Sequence, residues 1–157
     1  MNIEIFKKYD IRGIYDKTLT EKDAYLIGKA FVRLYNIKLR KLPTLLTVGH
    51  DARLSCEPLK NVLIKGILEC GVDVVDLGLV PTPVQYFSLF TLDVDGGIMI
   101  TASHNPPEYN GFKLSIGKET IFDEDIQKIR YIIEKKDFIS SAKKGKVNNY
   151  DIKKRLC

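Results

Sequence analysis

Residues 97–113 read Gly97-Ile98-Met99-Ile100-Thr101-Ala102-Ser103-His104-Asn105-Pro106-Pro107-Glu108-Tyr109-Asn110-Gly111-Phe112-Lys113. The first four form an apolar run that fits a buried strand. Polar residues and a Pro-Pro pair break it, Asn110-Gly111 signals a turn, and Phe112-Lys113-Leu114-Ser115-Ile116 starts a second strand. A connection this short holds no crossover, so the second strand is expected antiparallel to the first. Hydroxyl, imidazole, amide and ammonium groups thereby collect at the carboxyl end of a strand, where open α/β sheets bind ligands.

Outward from this stretch the chain alternates helix and strand. Thr20 suits an N-cap with Asp23 in the first turn, and Ala24, Ile27, Phe31, Leu34 and Tyr35 recur at helical spacing, predicting a helix over 21–37. Thr44-Leu45-Leu46-Thr47-Val48-Gly49 reads as a strand. Leu59, Val62, Leu63, Gly66, Ile67 and Cys70 mark a second helix that stops at Gly71, and Val72-Asp73-Val74-Val75-Asp76-Leu77 is a further strand. Thr82, Pro83 and Gln85 look like a helix start with a capping-box pair, and that helix ends by Asp95-Gly96. Asp123 opens a last helix with Ile126, Ile129 and Ile133 inward. The order α-β-α-β-α-β-β-α implies a three-layer α/β/α fold. Its sheet is expected to be four-stranded, mixed and mostly parallel, with the last strand antiparallel.

The chain has 157 residues, 45% of them hydrophobic and 29% charged, with a net charge of +5. That suits one compact domain and no second. No apolar run is long enough to span a membrane, and Met1-Asn2-Ile3-Glu4 lacks the features of a signal peptide, so a cytoplasmic protein without a membrane partner is expected. Cys56, Cys70 and Cys157 make neither a disulfide framework nor a zinc pair, and the first two read as buried thiols in one helix. Residues 143–157 hold six bases against the single acid Asp151, so the whole positive excess sits at that end. A neutral body with a basic end reads as a solvated tail or linker over 141–157. A nucleic-acid surface would spread its bases across a face.

Three loops are more polar than a plain fold requires: Phe6-Lys7-Lys8-Tyr9-Asp10-Ile11-Arg12-Gly13, Val48-Gly49-His50-Asp51-Ala52-Arg53-Leu54-Ser55, and the segment from Thr101. Each alone has an ordinary explanation. Ser55 would be an N-cap, Asp51 and Arg53 a local ion pair, Arg12 a surface arginine, and His104 a loop histidine. A Ser103–His104 hydrolase finds no support, because adjacent side chains on a turn point apart and no G-x-S-x-G elbow is present.

Together the loops resemble the α-D-phosphohexomutase superfamily, in its phosphomannomutase/phosphoglucomutase branch. That family's signature around its phosphorylated serine, T-[AG]-S-H-N-P, is met in full by Thr101-Ala102-Ser103-His104-Asn105-Pro106. The run Pro107–Lys113, the segment Tyr9–Gly13 and the turn Pro81-Thr82-Pro83-Val84 also match. His50 and Ala52 depart, standing where relatives commonly have Arg and Gly. The resemblance covers residues 1–140 as the first of the family's four domains, and the Asp-rich metal loop of the second domain has no counterpart in this chain.

The resemblance implies a hexose 1-phosphate/6-phosphate mutase acting through phospho-Ser103, Mg²⁺ and a hexose 1,6-bisphosphate intermediate. It implies catalytic roles for Ser103, His104 and Lys113, supporting roles for Tyr9, Arg12 and Asn105, and metal contact only through the Ser103 phosphate. The partners implied are a phosphorylated hexose and the remaining mutase domains. Catalysis by positioning needs all groups at once, so the isolated chain is expected to be inactive. The rival is a non-catalytic phosphate-binding or purely structural α/β fragment. Self-association through surface that a second domain would cover is left open.

Overall fold

The computed structural model describes residues 1–155; Cys157 lies outside the described residues. After a 3₁₀ turn at Ile3–Ile5 the order is β1 (Ile11–Ile14), α1 (Glu21–Leu39), β2 (Leu45–His50), α2 (Cys56–Glu69), β3 (Asp73–Leu79) and α3 (Thr82–Thr91). It continues with β4 (Gly96–Ile100), β5 (Tyr109–Ile116), β6 (Glu119–Thr120), α4 (Glu124–Lys135) and β7 (Val147–Asn149), then a second 3₁₀ turn at Ile152–Arg155.

The three-layer class and the mixed, mostly parallel sheet are as expected, but the strand count is not. The sheet has seven strands in the order β1-β5-β4-β2-β3-β7, with β6 paired to β5. β4, β2, β3 and β7 are mutually parallel, and β5 is antiparallel to its neighbours β4 and β1. The antiparallel strand therefore lies inside the sheet.

Asn110 and Gly111 do not form a turn. They belong to β5 and pair with Gly13 and Arg12 of β1. A Cβ at Gly111 would collide with the Ile11 carbonyl, so the close approach of β1 requires glycine there. The N-G signal is local, whereas the partner that overrides it lies far away in sequence. The end expected to be a solvated tail also enters the fold. Val147–Asn149 extends the sheet as a parallel edge strand on β3, and Ile152 is fully buried. The lysines of this segment stay exposed or half-exposed while its backbone and Ile152 are used.

α1, α2 and α4 cover one face over a core that includes Phe31, Leu63, Ile98 and Phe112. α1 and α2 lie so close that a Cβ at Gly28 would meet the Leu63 carbonyl, and one at Gly66 the Tyr25 carbonyl. The α1 cap is a full capping box: Thr20 Oγ1 accepts from the Asp23 N–H and Asp23 Oδ2 accepts from the Thr20 N–H. Gly71 ends α2 at φ +83°, as its C′ position requires.

On the other face α3 packs against β2 and β4. A smaller core of Leu77, Val80, Met99 and Ile152 lies beneath it. The expected Thr82–Gln85 capping box is absent. Pro81 is the N-cap, Thr82 is already helical, and Gln85 is fully buried, with Nε2 3.5 Å from Thr47 Oγ1. Burial against the sheet takes the Gln85 amide away from the cap.

Ile152→Ala is expected to destabilise the protein by about 2–5 kcal/mol in urea unfolding, the usual cost of emptying a buried isoleucine site. A change near zero would mean that the C-terminal segment is a solvated tail after all.

Candidate active site

α3 covers the β2–β4 part of its face, and an open cleft of about 560 Å³ runs beside it. Met99, in the core under α3, pairs with Lys113 across β4 and β5, so Lys113 stands on the same face. Lys7, Lys8, Tyr9, Asp10, Arg12, Tyr86, Ser103, Lys113 and Thr120 line the cleft. Four of the six residues proposed from the sequence thus meet there: Ser103, Lys113, Arg12 and Tyr9. Asn105 is joined to it through Arg12, whose Nη1 donates to Asn105 Oδ1 at 2.6 Å. His104 is exposed beside Ser103 and is not among the lining residues.

The cleft is strongly cationic. Lys7, Lys8, Arg12 and Lys113 face a single carboxylate, Asp10, which lies 3.6 Å from Arg12 Nε. Burial raises the pKa of Asp10 above the usual aspartate value, against the pull of Arg12, Lys113 and Lys7. The lone acid thus holds its charge less readily than a solvated aspartate does. An anion is the complementary occupant.

Ser103 sits at φ +55°, a left-handed conformation that costs a non-glycine residue about 1–2 kcal/mol. Both of its backbone polar groups are held. Its N–H donates to Thr101 Oγ1 at 3.0 Å, and its carbonyl accepts from Arg53 Nη2 at 2.9 Å. Arg53 also donates to the carbonyls of Asn105 (2.8 Å), Pro106 (2.6 Å) and Tyr109 (3.0 Å). Its Nε lies 3.3 Å from Asp51 Oδ2, which also accepts from the Thr101 hydroxyl at 2.6 Å.

Asp51 is a further hub, accepting from the Arg53 N–H at 3.0 Å and from the Cys56 thiol at 3.2 Å through Oδ1. Burial alone would push its pKa up. The hydrogen bonds from Thr101, Arg53 N–H and Cys56, together with the Arg53 charge, outweigh burial and hold the carboxyl below the usual range. Burial, aided by Asp51, pushes Cys56 up to about 12, so it stays a thiol. Ser55 stands at the cap position of α2, but its hydroxyl accepts from the buried Asn110 Nδ2 at 2.7 Å and forms no side-chain cap bond. That bond ties the start of α2 to the start of β5.

Residues 4–140 match the family model described as phosphoglucomutase/phosphomannomutase, alpha/beta/alpha domain I. The chain belongs to the phosphoglucomutase/phosphomannomutase family. It is 44% identical over 149 residues to a phosphoglucomutase of Neisseria meningitidis serogroup B, covering 95% of this chain and 32% of the relative. Identity to a phosphomannomutase/phosphoglucomutase of Pseudomonas aeruginosa is 45% over 148 residues, covering 94% and 31%. Among solved structures, a phosphoglucomutase/phosphomannomutase family protein of Burkholderia thailandensis superposes with a TM-score of 0.87 at 38% identity, covering 97% of this chain and 34% of that one. The chain spans about a third of the length of these relatives.

Within this mutase-family domain, Arg53 matches the family's pattern in the second polar loop, but its role was not legible from the sequence. Its pairing with Asp51 is legible from the spacing, but nothing local announces that four carbonyls fifty or more residues away converge on it. Tyr86 and Thr120 line the cleft without having been singled out from the sequence, and Lys7, Lys8 and Asp10 belong to the polar Phe6–Gly13 loop but were given no site role there.

The depressed Asp51 pKa sets a pH dependence. Asp51 stabilises the serine loop above the unfolded aspartate value of about 3.9, and the contribution is lost as pH falls through the lower folded value. Protection of the Ser103 amide against hydrogen exchange, corrected for intrinsic rate, is therefore expected to be level from neutrality to about pH 4 and to fall below it. Asp51→Asn should lack that step and show weakened protection at neutral pH; an unchanged profile would contradict the role given to Asp51.

Proposed function

We propose that this chain is the phosphoserine-bearing first domain of a mutase that interconverts hexose 1-phosphate and hexose 6-phosphate. The observation that carries the reading is Ser103 at a cationic cleft, with its backbone held at both polar groups. A phosphoryl group on Ser103 brings about −1.5 to −2 charge and three acceptor oxygens to four basic side chains.

In the forward half-reaction the Ser103 Oγ–P bond breaks and a bond forms from phosphorus to a free hydroxyl of the bound hexose monophosphate. The result is a bisphosphate and free Ser103. The sugar then turns over and the other phosphoryl group returns to Ser103 Oγ. Lys113 and Arg12 stabilise charge on the moving group, and Tyr9 forms part of the sugar's wall. The attacking sugar hydroxyl gives up its proton and Ser103 Oγ takes one up as its bond to phosphorus breaks; Lys113 in the cleft and the neighbouring His104 are the candidates for moving it. Asn105 orients Arg12 by the 2.6 Å bond. The positively charged body of the cleft suits a doubly phosphorylated intermediate better than a neutral sugar.

Mg²⁺ would supply charge neutralisation at the transferring phosphoryl group. Among the described residues no group of three His, Cys, Asp or Glu is placed to hold a metal ion, so these residues do not make a complete magnesium site. Their contribution would be a phosphoryl oxygen on Ser103, with the carboxylates on another domain. The same reading makes residues 1–140 the main body of a first domain, which Val147–Asn149 and Ile152 extend, and gives a cytoplasmic location. No helix among the described residues is long and apolar enough to cross a membrane.

Intact mass of the protein as isolated from cells is expected to show a fraction heavier by one phosphoryl group, mapped to Ser103. In the full-length enzyme Ser103→Ala should lower mutase turnover by about a thousandfold or more, and full activity without added bisphosphate would overturn the assignment. The isolated chain is expected not to turn over hexose phosphates. Turnover at an ordinary enzymatic rate would show that this domain alone completes the site.

A further inference from the structure

Two chains of hydrogen bonds leave Asp51 Oδ2 and meet again on one residue. One runs through the Thr101 hydroxyl to the Ser103 N–H, at 2.6 and 3.0 Å. The other runs through the Arg53 guanidinium to the Ser103 carbonyl, at 3.3 and 2.9 Å. The ring they close fixes φ and ψ of Ser103, leaving its hydroxyl only the side-chain rotation.

Arg53 does this with every donor it has. A guanidinium carries five N–H groups, and here they reach one carboxylate oxygen and four carbonyls. None remains to grip a phosphate unless the loop is released. Arg53 is therefore not a substrate ligand.

The carbonyls of Asn105 and Pro106 each precede a proline, so neither peptide has an N–H that the inward turn would strand. The Pro-Pro pair thus lets the loop aim successive carbonyls at one cation. The same guanidinium holds the Asn105 carbonyl, while the Asn105 side chain takes Arg12 Nη1. The bond network therefore reaches the cleft arginine as well as the serine.

We propose that Arg53 is the positioning residue of phosphoryl transfer, placing Ser103 and, through Asn105, the Arg12 guanidinium for both half-reactions. The proposal rests on the phosphoserine reading of Ser103. One Oγ must give a phosphoryl group to a sugar in one orientation and take one back from it in the other, so its place must be fixed by the protein. The fork is essential to this task. A lysine offers three donors from one point and cannot span carbonyls arranged around a planar group.

The test uses the full-length mutase carrying this domain, with Arg53→Lys and Arg53→Ala. Both are expected to lose about a hundredfold or more in kcat per folded molecule, with KM within about threefold. Amide exchange at Ser103 and His104 should quicken while β2 and β4 amides keep their rates. Guanidinium ion at non-denaturing concentration, and not ammonium, should restore part of the Arg53→Ala turnover.

A kcat within about threefold of the parent, or a lysine variant as good as the parent, overturns the proposal. So does a loss fully explained by less folded protein, which would make Arg53 purely structural. A Ser103→Ala enzyme that kept full activity would sink the phosphoserine reading itself, and this proposal with it, whatever the Arg53 variants did.

Discussion

One cation among four backbone carbonyls is the constraint from which the rest of the site follows. Residues 101–108 join antiparallel strands without regular structure of their own, so their backbone groups need partners from elsewhere. Arg53 supplies them from the opposite loop, and its side chain is only 12% exposed. Hydrogen bonds to a charged donor contribute about 1.5–3 kcal/mol when shielded, and less where water competes. Several such bonds comfortably exceed the cost of one left-handed serine. Without that cation the loop would have little reason to hold Ser103 at positive φ.

The fold exists to bring those two loops together. β2 and β4 are parallel neighbours, so their carboxyl ends lie side by side, and the Asp51–Arg53 loop leaves the sheet next to the Ser103 loop. The antiparallel return of β5 then carries Lys113 back under the cleft, and β1 adds Arg12 opposite Gly111. Glycine at 111 makes that last pairing possible. The buried Asn110 amide, bound to Ser55 and Cys56, keeps β5 in register with the start of α2. Neutral hydrogen bonds and a thiol that stays protonated place no further charge beneath the loop. The charge that matters is gathered in the cleft instead.

Much of this was legible in the residues themselves. The four helices, the strands at 45–50, 73–79 and 96–100, and the antiparallel return were visible because hydrophobic periodicity and caps act within a few residues. The Thr20–Asp23 box is a clear instance. The serine loop was visible for a different reason, since its polar residues interrupt an apolar strand and serve no purpose in the core. Ser103, Lys113, Arg12 and Tyr9 were placed together only through a resemblance between motifs, and the cleft brings them together in space.

What the sequence by itself determined is local: element type, helix ends, and the chemical character of the three polar loops. The tertiary structure alone decided that Ile11–Ile14 pairs with β5, that Val147–Asn149 closes the sheet edge, and that Gln85 is buried away from its cap. It alone decided that Arg53 reaches four carbonyls and that Arg12 reaches Asn105 across 93 residues. The physical reason is the same in each case. A short strand, an edge or a carbonyl cluster has no periodic signature, and its stability comes from partners that only the folded chain brings within hydrogen-bonding distance.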